Sequence, residues 1–134
     1  IENGKVWDLK FIKVNGKLLS LNQIENQILR IKFNDPRIHF GINCAAVSCP
    51  KLNNKAFNSS NVDIELKKLA SEFINKTSKV NSSSIIISKI FEWYRDDFIQ
   101  NGSLVDYLNR YLIKKAPNNT NVEYSNYNWS LNKK

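Results

Sequence analysis

His39, Cys44 and Cys49 are the only histidine and the only cysteines of the chain, and all three fall in one stretch, Asp35-Pro36-Arg37-Ile38-His39-Phe40-Gly41-Ile42-Asn43-Cys44-Ala45-Ala46-Val47-Ser48-Cys49-Pro50. An imidazole and two thiols are the groups from which nucleophilic catalysis, thiol redox chemistry or metal binding are built. Their spacing constrains all three chemistries, because neighbouring members are five residues apart. In a strand an odd step puts side chains on opposite faces. In a helix five residues turn through roughly 140° and rise about 7.5 Å. Regular structure therefore keeps these groups apart, and only a turn between Gly41 and Pro50 can gather them.

Each chemistry makes a further demand. A cysteine nucleophile needs a helix N-terminus or a cation to favour its thiolate, and a histidine within reach. Cys44 has the better context, since Ala45-Ala46-Val47 can open a short helix directly after it. His39 is then the base, Asn43 or Ser48 an oxyanion donor, and Asp97 or Asn43 the group that orients the base. A Cys44–Cys49 disulfide needs Cα atoms within about 7 Å, which a loop joining strand to helix provides. So short a closed loop adds little stability, so the bridge's role would be redox-related or local. Two free thiols packed as small apolar side chains are the alternative. A structural zinc site needs a second ligand pair that the chain does not supply, and neither metal nor cofactor is expected. His39, flanked by Ile38 and Phe40, also fits a strand histidine held by a backbone carbonyl.

A second group of chemistry-bearing residues runs from Trp93 through Tyr94, Arg95 and Asp96 to Asp97. On a helix, Trp93 and Asp97 share a face at i,i+4, while Tyr94 turns inward with Ile90. Asp97 is then placed to orient a histidine or to pair with Arg37. Arg37, Ser48, Trp93 and Tyr94 are the candidate binding residues. An aromatic core helix with a solvated acidic rim is the plainer alternative.

The elements that must position these groups follow from periodicity. Asp8 to Val14 alternates, Asn15-Gly16 supplies the two-residue turn of a hairpin, and Lys17-Leu18-Leu19 returns. Ser20 with Gln23 reads as a capping box ahead of a stripe formed by Leu21, Ile24, Ile28 and Leu29, which stops before Asp35-Pro36. Ser60 or Asn61 caps a second helix with Val62, Leu66, Leu69, Ala70, Phe73 and Ile74 as core. Ser84 to Ser88 is a short buried strand, because three consecutive β-branched isoleucines favour extended backbone. Ser88 caps a third helix carrying Ile90, Phe91, Tyr94 and Phe98, which Asn101-Gly102 stops. Ser103 with Asp106 opens a fourth with Leu104, Tyr107, Leu108, Tyr111 and Leu112, closed before Pro117. Val122 to Leu131 alternates as a final strand. The expected class is α+β: an N-terminal hairpin and further antiparallel strands in a single layer of sheet, packed with about four helices.

Composition bounds the rest. The 134 residues suit a single domain spanning 1–134 that buries a core without help from metal or disulfides. No apolar run approaches a membrane span. The chain starts at Ile1 with no charged-then-apolar leader. The net charge of +8 suits acidic surfaces as partners. The lysines are scattered, however, and no arginine-rich run, zinc finger or RNA-binding motif accompanies them, so no specific nucleic-acid interface is expected.

Several spaced blocks resemble one family. They are Ser20-Leu21-x-x-Ile24-Glu25, Ile28-Leu29-Arg30, Asp35-Pro36-Arg37-Ile38-His39-Phe40-x-Ile42-Asn43-Cys44-Ala45, Ser48-Cys49-Pro50, Ser88-Lys89-Ile90-Phe91-x-Trp93-Tyr94-x-x-Asp97-Phe98 and Tyr127-x-Trp129-Ser130-Leu131-Asn132. In this order they resemble domain-of-unknown-function family 547, and the Ser-Cys-Pro at Cys49 resembles its bacterial branch. The resemblance implies no assigned activity. It implies a further family segment upstream of residue 1, with a helix bearing Asn-x-Tyr-Asn, and an exported or cell-envelope protein. Two functions from different classes stand. One is a non-catalytic binding or structural module whose Cys/His segment is a packed turn, which is the favoured reading. The other is a cysteine-dependent hydrolase or acyl-transferase using Cys44 and His39, or a thiol-redox role through Cys44 and Cys49.

Overall fold

Asn15 and Gly16 adopt φ values of 47° and 80°, the positive pair that a type I′ turn requires. They join β1 (Ile12–Val14) to β2 (Lys17–Leu19), antiparallel with Val14 opposite Lys17. The Ser20 hydroxyl then accepts from the Gln23 backbone N–H at 3.1 Å, and the Gln23 side-chain carbonyl accepts from the Ser20 N–H at 3.1 Å. This capping box opens α1 (Leu21–Gln23), which continues as a π-helical segment, Ile24–Phe33. Asn34, left-handed at φ 48°, ends it.

The computed structural model describes residues 2–133. The backbone forms two compact units, Ile1–Pro36 and Arg37–Lys134. The first contains a 3-10 segment (Glu2–Asp8), the hairpin and α1 with its π extension.

The second unit carries α2 (Ile38–Gly41), α3 (Val62–Thr77), β3 (Lys79–Val80), β4 (Ser84–Ile87), α4 (Ile90–Trp93), α5 (Arg95–Phe98), α6 (Leu104–Asn109) and β5 (Asn121–Tyr124). The α+β class holds, with six helices among the described residues. The expected strands are arranged as two small sheets, the hairpin and a three-stranded sheet in the order β3-β4-β5. β3 runs antiparallel to β4, whereas β5 runs parallel to it, pairing Ile85 with Val122 and Ile87 with Tyr124. The one parallel pairing in a mainly antiparallel arrangement has a topological reason. Between β4 and β5 the chain passes through α4, α5 and α6, and such a crossover returns it in the same direction. The extended tail is a strand only as far as Tyr124, and Leu131 meets the chain again as an isolated antiparallel bridge to Ala46.

Two further differences bear on the site. The expected third helix is broken at Tyr94 (φ −112°, ψ 28°) into α4 and α5. His39 lies on the short helix α2 rather than in a strand. Gly41 closes that helix against α3: a Cβ there would meet Leu66 Cδ2 at 2.9 Å.

The core of this unit is aromatic and aliphatic. Phe40, Ile74, Ile85, Ile87, Phe91 and Leu108 are its largest fully buried side chains, each contributing about 1.5–3 kcal/mol by leaving water. The α3 stripe Leu66, Leu69, Ala70, Phe73 and Ile74 faces inward, while Val62 is half-buried. Phe40 packs with Phe73, Phe91 and Phe98 at ring separations of 5.4 to 5.9 Å. No helix among the described residues is long and apolar enough to cross a membrane.

Candidate functional site

The turn that the five-residue spacing demands is present, and Asn43 builds it. Its side-chain oxygen accepts from the Ala45 N–H at 2.8 Å, and its amide donates to the Pro50 carbonyl at 2.7 Å. Ala45 is left-handed, at φ 61°, and the Cys49 N–H donates to the Ala46 carbonyl at 3.1 Å. The C-terminal tail sews this turn shut. Val47 N–H donates to Ser130 O at 2.9 Å, and Asn132 N–H to Ala45 O at 2.7 Å. Asn128 N–H donates to the Ser48 hydroxyl at 2.9 Å. The expected helix after Cys44 is therefore absent: Ala45 is left-handed and Ala46 pairs with Leu131, so Cys44 has no helix N-terminus beside it. Asn43 is occupied by the turn itself, and Ser48 by the tail.

Both cysteines are free thiols. Cys49 Sγ accepts from the Cys44 N–H at 2.8 Å, and Cys44 Sγ lies 3.4 Å from the Tyr127 hydroxyl. Cys44 and Tyr127 both reach the Cys49 side chain by hydrogen bonding. Burial, reinforced by Cys44, pushes the Cys49 thiol up to about 12. Burial, with Cys44 and Cys49 alongside, also raises the Tyr127 phenol above its ordinary range. Tyr127 is held in turn by two indoles, Trp93 at 4.8 Å and Trp129 at 4.6 Å, which stack on each other at 5.4 Å.

His39 lies in different surroundings. Its Nε2 is 2.7 Å from Asp97 Oδ2, its ring stacks on Tyr94 at 3.9 Å, and Phe98 approaches at 5.4 Å. The imidazole is 2% exposed. Its partner is thus a carboxylate on α5, and the pair joins α2 to α5. The break at Tyr94 lets Tyr94 stack on His39 while Trp93 faces the tail. Arg37 pairs with Asp63 on α3 at 2.7 Å.

The Tyr127 hydroxyl thus lies at the Cys44 thiol, and the Asp97 carboxylate at the His39 imidazole. Tyr127 is the site residue that its sequence position does not announce. It stands 83 residues beyond Cys44, and its alternation with Trp129 signals a shared face without saying what that face meets. A cleft of about 480 Å³ opens beside the turn, with Phe40, Leu69 and Phe73 in its lining, Ser48, Cys49 and Tyr127 along the turn and tail, and Lys51 and Lys76 at the rim. Of the candidate binding residues, Ser48 lines it. Among the described residues no cluster of three His, Cys, Asp or Glu side chains is arranged to hold a metal ion.

A family model described as "Protein of unknown function, DUF547" matches residues 2–74, a span that holds His39, Cys44 and Cys49 but neither Asp97 nor Tyr127. Searches of curated proteins and of solved structures found no match.

Proposed function

The chain belongs to the DUF547 family, and from that premise we propose that it is a non-catalytic binding module whose Cys44–Pro50 turn is the packed wall of a ligand cleft. One observation carries this reading: the turn that walls the cleft has its polar groups engaged within the fold. Asn43 spans it, the tail covers its outer edge, and the Cys44 thiol is hydrogen-bonded to Tyr127. A cysteine nucleophile needs the reverse, an activated thiolate with a base in reach. The cleft has the size of small-molecule pockets, and its lining is polar and apolar in comparable measure, with Lys51, Glu72, Lys76 and Ser88 beside Phe40, Leu69 and Phe73.

The second reading, a cysteine-dependent hydrolase or acyl-transferase, draws support from the 2.7 Å His39–Asp97 contact, the kind of second bond that fixes the orientation of a catalytic histidine. Alkylation of the native chain across pH, followed by peptide mapping, separates the two. The binding module predicts slow labelling of Cys44 with no step that depends on His39. Rapid labelling of Cys44 well below pH 7, with a step that disappears in His39→Ala, would overturn it in favour of the enzyme.

A further inference from the structure

The turn holds two thiols side by side by means that do not depend on either thiol. Asn43 clamps its ends, Ala45 adopts the left-handed conformation that reverses the chain, and the Cys49 N–H closes back on Ala46. The tail fixes it from outside through Ser130 and Asn132. With Cys49 Sγ 2.8 Å from the Cys44 nitrogen, and an N–Cα bond of about 1.46 Å, that sulfur can be no farther than about 4.3 Å from the Cys44 Cα. A disulfide between the two cysteines requires this kind of proximity. Both cysteines are partly exposed, and Cys49 lines the open cleft.

We propose that Cys44 and Cys49 form a dithiol site that exchanges with small-molecule disulfides, passing reversibly between two thiols and a Cys44–Cys49 bridge. The site goes beyond the cleft's binding role, with Cys49 belonging to both. In the first step one cysteine, as thiolate, attacks a sulfur of the oxidant R–S–S–R. The oxidant's S–S bond breaks, a mixed disulfide forms, and RS⁻ leaves and takes up the proton that the attacking thiol released. In the second step the other cysteine gives its proton to solvent and attacks the protein sulfur of the mixed disulfide. The second RS⁻ departs and is protonated. Two protein thiols have then lost two hydrogens and two electrons, and the oxidant has become two RSH. Because burial holds Cys49 protonated, Cys44 makes the first attack and Cys49 resolves the intermediate. The short loop takes little chain entropy from the unfolded state, so the bridge is favoured by the turn's preorganisation rather than by its length.

The test is equilibration of the native chain in glutathione buffers of graded ratio, acid quenching, alkylation and peptide mapping, with a parallel series in concentrated urea. The expected result is a product two hydrogens lighter that joins Cys44 to Cys49 and is restored by dithiothreitol. It should form in the folded chain at a glutathione ratio at least about tenfold more reducing than the unfolded chain requires, the advantage of preorganised geometry. In Cys49→Ser the reaction should stop at a glutathione adduct on Cys44. Stable adducts without a bridge, persistence of both thiols in oxidised glutathione, or equal ratios for folded and unfolded chains would each overturn the proposal. Ligand binding in the cleft by a chain that never forms the bridge would overturn it while leaving the binding module intact.

Discussion

His39 and Cys44 are five residues apart in the chain and occupy two different kinds of environment. His39 sits on a short helix against the aromatic core, stacked on Tyr94 and paired with Asp97. Cys44 sits in a turn whose form is set by hydrogen bonds, with the tail laid across it and the Tyr127 hydroxyl at its sulfur. One environment is built by burying apolar surface around the His39–Asp97 contact; the other by satisfying backbone donors and acceptors at the edge of a cleft. The contrast teaches that a cluster of reactive side chains along a sequence is not yet a site. A turn did form where the spacing required one, but it gathered the two cysteines, while the histidine was drawn into the core by its own neighbours Ile38 and Phe40.

Four measurements test whether the core-held histidine and the turn-held cysteines differ as described. The largest effect concerns Cys49. With its thiol moved from an ordinary 9.0 to about 12, its alkylation near pH 8 should be on the order of a thousandfold slower than that of the same peptide in urea. Linkage gives the sign of the accompanying stability change. The unfolded thiol ionises first, so stability from this group is intact below pH 9 and declines as pH rises from 9 towards 12. A Cys49 that labels at the peptide rate would show that the turn does not shield it.

Next in size is His39→Ala. It removes a buried ring, its stacking on Tyr94 and the 2.7 Å contact with Asp97, and should cost about 2–4 kcal/mol in urea unfolding. Asp97→Asn, which keeps a hydrogen-bonding side chain in place, should cost less, about 1 kcal/mol.

Tyr127→Phe tests the turn in the same way. It deletes the hydroxyl beside two partly exposed thiols and leaves the ring packed on Trp93 and Trp129, so about 0.5–1.5 kcal/mol is expected from the same unfolding curves. Equal losses for His39→Ala and Tyr127→Phe would erase the distinction between a core-held and a turn-held group. The smallest effect has the opposite sign. Ala45→Gly relieves a left-handed alanine at φ 61° and should stabilise the chain by about 0.5–1 kcal/mol, seen as a raised thermal midpoint.

Local signals in the chain were reliable wherever the physics is local. Asn15-Gly16 made its hairpin, Ser20 with Gln23 and Ser103 with Asp106 made capping boxes, and the α3 stripe faced the core. Failures came where a distant segment intervened. The helix expected after Cys44 gave way to an edge bridge with Leu131, because the tail offered Val47 and Ala45 backbone partners that a short helix would have left in water. The third helix broke at Tyr94 so that one side chain could stack on His39 while its neighbour joined the tail's indoles. β5 joined its sheet in parallel, a consequence of three helices lying between it and β4. The family match shows the same limit, covering residues 2–74 and hence both thiols and the imidazole, while Asp97 and Tyr127 fall outside it.

By itself the sequence determined that the chain's imidazole and thiols lie in one stretch, that five-residue spacing keeps them from sharing a regular face, and that a turn had to bring any of them together. Those conclusions depend only on helical and strand geometry and on the conformational habits of Gly, Asn and Pro. The tertiary structure alone decided which partner each group received: Asp97, 58 residues on, for His39, and Tyr127, 83 residues on, for Cys44. The reason is physical. Partners so far apart in sequence are brought within hydrogen-bond distance only after the core has closed around Phe40 and the tail has found unsatisfied backbone groups at the turn, and neither event leaves a periodic mark in the residues that it joins.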